Sequence, residues 1–184
     1  MTRIFTVLAG FALMLMAATL VLGLSLGDVT NPENTAVQRW ATVHRLSGVA
    51  AALVIVLVNS IAITYFVGTS RWCREVVETY SLSPELARRS QRLKRRTFPL
   101  AVTSMLVVVA VVALGGAADP AASLQLEPLA GISWPHWHLI GAMAGLAVIA
   151  VSFMLERANI EANHEVINQI IDQVRLIRDD RGLD

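Results

Sequence analysis

The chain has 184 residues, 55% of them hydrophobic and only 16% charged, with a net charge of +1. Too few charges are present to cover the surface of a water-soluble domain of this size. The single cysteine, Cys73, excludes a disulfide within the chain.

The apolar excess falls into four runs, at about 4–26, 41–67, 98–116 and 136–156. A bilayer core is crossed by ~20 apolar residues of helix. The expected fold is an all-α, integral membrane four-helix bundle occupying 1–157, followed by a tail at 158–184. The first run follows a basic start, Met1-Thr2-Arg3, but exceeds the ~7–15 residues of a signal-peptide core, so it reads as a span. The connection "GDVTNPENTAVQRW" is polar and carries an Asn-Pro turn signal. Span two begins near Trp40, an interface aromatic, and holds Asn59, Ser60 and Thr64 in its second half.

The basic loop 68–97 is expected to form helices of its own. Ser83 reads as an N-cap, with Pro84 at the first helical position and Glu85 in the first turn. Span three ends at "ALGG", where Gly115 and Gly116 are expected to stop the helix before Pro120. Span four opens with Trp134-Pro135 and runs on into the tail. There Ile160, Ile167, Ile170, Val174 and Ile177 recur at helical spacing. That stripe needs a cover, from the basic loop, a second copy or a partner subunit.

Eight of the fifteen Lys/Arg lie between spans two and three, and none lies in the connection from 117 to 134. By the positive-inside rule, both termini and the basic loop are expected on the cytoplasmic side of the cell (inner) membrane. His44, His136 and His138 then fall near the outer face, whereas His164 lies in the cytoplasmic tail. Topology accounts for the basic loop, and nothing points to nucleic-acid binding. No broken helix or mid-membrane ionisable group suggests a transporter.

Histidine within a membrane span is uncommon, and such a residue is a functional candidate. His44 and His138 lie at similar depth on spans two and four, as two axial ligands of one haem would. Gly48, Gly141 and Gly145 share their faces and would leave room for a porphyrin, although Gly141 and Gly145 also suit close helix packing. Arg45 is placed to bind a haem propionate or to snorkel into headgroups. On a helix His136 and His138 point ~200° apart. His138 is therefore taken as the ligand and His136 as an interface or supporting residue.

In "VHRLSG" (His44-Arg45), "HWHLIGA" (His138-Leu139) and "ALGG" (113–116), residues 1–157 resemble one four-helix half of the haem A synthase family. The resemblance implies paired haem-ligating histidines on helices two and four. The family's catalytic carboxylate would fall at Ala41, so oxidation of a haem methyl group does not carry over.

The expected function is a membrane-embedded b-type haem protein with His44 and His138 as axial ligands. Its role would be electron transfer or haem handling within a larger membrane complex. The competing reading is a cofactor-free accessory subunit, with the basic loop and tail docking onto protein partners or a second copy. A copper or zinc site at His44, His136 and His138 is the third, and it has no Met or Cys to assist.

Overall fold

The computed structural model of the chain describes residues 1–122 and 126–182. It is built on four helices: α1 (Thr2–Leu24), α2 (Thr35–Thr79), α3 (Pro84–Ala118) and α4 (Trp134–Asp180). Each contains a window apolar enough to cross a membrane, with mean hydropathy of 2.1 to 2.4. Val7, Met14, Leu106 and Met154 are more than half exposed on the outside of the bundle. Only a lipid-like solvent or further protein covers such a surface without cost. The helices pack in the order α1, α2, α3, α4 around the bundle, with α4 returning to α1 and touching α2 across the middle. Phe5, Ile55, Phe66, Ile149 and Ile160 fill the core.

The helix starts follow local chemistry. Asn34 caps α2 by accepting the Val37 N–H at 3.2 Å. Ser83 precedes α3, with Pro84 in the first turn and Glu85 behind it, as the sequence leads one to expect. Arg92 and Arg88 beside Glu85 hold its carboxyl below the usual carboxylate range.

Two boundaries differ from expectation. Span two and the first part of the basic loop are one helix, α2. The rest of the loop is the first half of α3, which runs on through Pro99. The basic segment is thus a helical hairpin. Its turn is closed by Leu82 N–H to the Val77 carbonyl at 2.9 Å and Ser81 N–H to the Glu78 carbonyl at 3.3 Å. This is the double bond pattern that ends many helices, and it needs a left-handed residue at Ser81, where φ is 54°. A side chain there is strained, so Ser81→Gly is expected to stabilise the protein by about 1 kcal/mol. A thermal melt in detergent checks this, and an unchanged or lower midpoint would contradict it.

The second difference is at Gly115 and Gly116, which lie inside α3 rather than ending it. Asp119 forms the boundary, and its Oδ1 accepts the Ala121 N–H at 2.9 Å.

The apolar stripe of the tail is covered by the chain in part: Ile160 and Ile170 are fully buried, Ile167, Val174 and Ile177 are half-buried, and α4 continues without interruption past residue 157. The hairpin supplies the cover, joined to α4 by polar bonds. Ser90 Oγ donates to Asn163 Oδ1 at 2.8 Å. Asn163 Nδ2 donates to Thr69 Oγ1 at 3.0 Å and to Tyr65 Oη at 3.2 Å. Asn159 Nδ2 donates to Thr97 Oγ1 at 3.1 Å.

Candidate functional site

His44 and His138 face each other across the bundle, on α2 and α4. Their ring centroids are 6.2 Å apart and the planes are inclined by 76°. Both rings line a cavity of about 540 Å³ at the end of the bundle where α1 and α3 finish. Pockets of ~300–1,000 Å³ are usual for bound organic molecules. The walls are mostly apolar, with Val108, Val111 and Val112 from α3 and Leu20 and Met16 from α1.

Each ring is held by the neighbouring helix. His44 Nδ1–H donates to the Thr19 carbonyl of α1 at 3.1 Å. A carbonyl only accepts, so Nδ1 carries the proton, and in the neutral ring Nε2 keeps its lone pair for a ligand. Gly23, one turn beyond Thr19, lies so close that a Cβ there would stand 2.7 Å from His44 Cε1. The other half of the site repeats the arrangement. A Cβ on Gly115 would stand 3.0 Å from His138 Cε1. Val111, one turn before Gly115, turns its carbonyl to the His138 ring without reaching hydrogen-bond geometry, and the buried Nδ1 has no partner. The α1–α2 and α3–α4 pairs therefore share a glycine against which the imidazole rests and a carbonyl four residues before it, and the carbonyl is hydrogen-bonded to the ring in the first pair alone. In register with this arrangement, Leu22-Gly23 matches Leu114-Gly115 and Trp40-x-x-x-His44 matches Trp134-x-x-x-His138, but no longer internal repeat stands out in the sequence.

Arg45 and Gly48 also line the cavity. Arg45 Nε pairs with Asp119 Oδ2 at 2.9 Å, which ties α2 to the end of α3 at the cavity wall. The terminal guanidinium nitrogens are not used in that bond. Gly48 meets only the Thr19 methyl, at 3.8 Å from a built Cβ, and leaves open space. Gly141 and Gly145 have the other role their spacing allowed. A Cβ at Gly141 would lie 2.5 Å from Leu114 Cδ1, and one at Gly145 would lie 2.8 Å from Val111 Cγ2. They seat α4 on α3 and are not among the cavity-lining residues. His136 is exposed, with Nδ1 2.7 Å from Ser133 Oγ at the start of α4. It stands outside the cavity lining, and among the described residues no group of three or more His, Cys, Asp or Glu is placed to hold a metal ion. Ala41 is buried in the cavity wall.

Gly23, Gly115 and Asp119 were not singled out as site residues by sequence. Two of them are visible only as glycines near helix ends, a signal shared with ordinary helix packing. Gly23→Val and Gly115→Val are expected to push the imidazoles off their seats, because the atoms that meet the new carbon belong to the ring itself. Nuclear magnetic resonance of the histidine ring protons would register the shift, while the neutral control Gly10→Ala, open around its Cβ, would leave them in place.

No family model, no curated protein and no solved structure matches the chain.

Proposed function

We propose that the protein is a membrane-embedded, b-type haem protein, with His44 and His138 as the two axial ligands. The observation that carries this reading is the pair of imidazoles set 6.2 Å apart in the wall of an apolar cavity. Two rings bound to one metal through one nitrogen each, with bonds of about 2 Å, have centroids roughly 6 Å apart. The other residues suit the same group. The Thr19 bond leaves the His44 lone pair on Nε2, which is the tautomer a metal needs. The unpartnered His138 Nδ1 lies against a carbonyl that can steady it in the same way. Arg45 retains N–H groups for a propionate.

When bound, such a cofactor supplies a one-electron couple, and two histidine ligands leave no open position on the iron. That favours electron transfer or haem handling over oxygen chemistry. The chain's own residues give the cavity an apolar valine wall, fix the His44 tautomer through the Thr19 carbonyl and bring the Arg45 guanidinium to the cavity edge. The likeness of the paired motifs to a half of haem A synthase supports the same reading. Ala41 in place of the family's carboxylate speaks against the methyl oxidation.

The test is an absorbance spectrum of protein purified from iron-replete cells. A Soret band at a stoichiometry near one per chain is expected. Protein without a chromophore, and without uptake of added haemin, would instead favour an accessory subunit in which the two rings pack edge to face.

A further inference from the structure

A second polar feature lies in the other half of the bundle and does not rest on the haem reading. Glu156 on α4 is completely buried, and neither carboxyl oxygen has a hydrogen-bond partner. Asn59 on α2 is also completely buried. Its Nδ2 donates to the Ile55 carbonyl at 2.7 Å, which leaves Oδ1 without a donor. Asn59 lies fifteen residues beyond His44, and Glu156 eighteen beyond His138, by sequence number. Along helices rising ~1.5 Å per residue the two positions differ in level by about one turn.

On α4 the polar positions continue from Ser152 through Glu156 and Asn159 to Asn163, on one face. Below Glu156 that face meets Thr97 through Asn159, and then Ser90, Tyr65 and Thr69 through Asn163. Polar side chains thus follow one another from Glu156 toward the hairpin as far as Tyr65 and Thr69, which are half-buried, although no hydrogen bond joins the carboxyl itself to them.

Glu156 belongs to none of the ion pairs among the described residues. Arg3 on α1, Arg96 on α3 and Arg157 on α4 are the basic residues closest in register, and all three are exposed. Tyr65 on α2 is engaged with Asn163. An unpaired carboxylate in such surroundings is far costlier than the neutral acid. An ionisable side chain kept at this cost inside an apolar bundle calls for a role in charge movement.

We propose that Glu156 is a proton-binding site, which holds a proton inside the bundle and exchanges it with water past the polar side chains Thr97, Asn159 and Asn163 on the hairpin side. The step is acid–base only. A hydronium ion on the hairpin side becomes water as the carboxylate becomes the acid, and the reverse returns the proton; no electron moves.

Infrared spectroscopy of the purified full-length protein tests this. At neutral pH a protonated-carboxyl C=O band is expected that shifts in D2O and is missing in Glu156→Gln. Thr97→Val, which removes one hydroxyl from these polar side chains, is expected to slow the D2O shift at least severalfold. Absence of the band in the wild type, a band that does not respond to D2O, or an exchange rate unchanged by Thr97→Val would each overturn the proposal. Should Glu156→Gln fail to fold, dicyclohexylcarbodiimide reads the wild-type site directly, since it labels carboxyls in the acid form. Mass spectrometry is then expected to find the adduct on Glu156. No adduct, or protection of the residue by sodium ions, would assign the site to an ionised carboxylate or a metal cation and overturn the proposal.

Discussion

Replacing His138 with alanine is expected to remove the bound chromophore. One of two ligands is lost, and no other described side chain is placed to replace it, because His136 is engaged with Ser133 outside the cavity lining. Deleting a residue that merely supports a metal ligand costs ~10–100-fold in affinity. Deleting the ligand itself is expected to cost more than that, enough to leave the purified variant without a Soret band. His44→Ala is expected to do the same, whereas His136→Ala should keep the spectrum of the wild type. Haemin titration of the three variants separates these outcomes. A His138→Ala protein that retains the wild-type spectrum would remove the basis of the haem reading.

The largest effect on stability is expected at the other end, from Asn163→Leu. This side chain makes three hydrogen bonds, to Ser90, Tyr65 and Thr69, and it is completely buried. Leucine fills similar space but leaves those partners facing an apolar group. Each buried polar group left unmet costs ~1–3 kcal/mol, and Thr69 keeps a bond to the Tyr65 carbonyl. A net loss of about 3–5 kcal/mol is expected. It should appear as a lower thermal midpoint in detergent, with helix content by circular dichroism retained at low temperature. A midpoint within experimental error of the wild type would mean that the hairpin is not held to α4 by this side chain.

The spans were legible in the sequence because an apolar run of ~20 residues matches the thickness of a bilayer and little else in a small protein. The start of α3 was legible too, since Ser83-Pro84-Glu85 is a local signal that packing does not alter. The facing of His44 and His138 followed from counting residues inward from the same end of two helices. What escaped depends on the azimuth of each helix, which composition does not encode. Gly141 and Gly145 share a face with His138, but a helical face is wide, and the α3 side of it receives Leu114 and Val111 instead of the cavity. Gly23 and Gly115 matter only because a histidine from the next helix settles on each. Glu156 reads as the point where span four leaves the membrane, whereas its side chain is completely buried in the bundle. The continuity of α2 past residue 67 was hidden by its change from apolar to basic residues, a change of solvent that does not interrupt a helix.

That continuity has a mechanical consequence. α2 and α4, the two helices that carry the histidines, have 45 and 47 residues and would extend roughly 70 Å each at helical rise. Proline occurs within the body of α3 alone, at Pro99, and α3 carries neither imidazole. The two histidine bearers are therefore stiff levers that reach from the tail to the cavity. A continuous run of backbone hydrogen bonds thus joins the hairpin and tail to the level of the imidazoles on both of these helices.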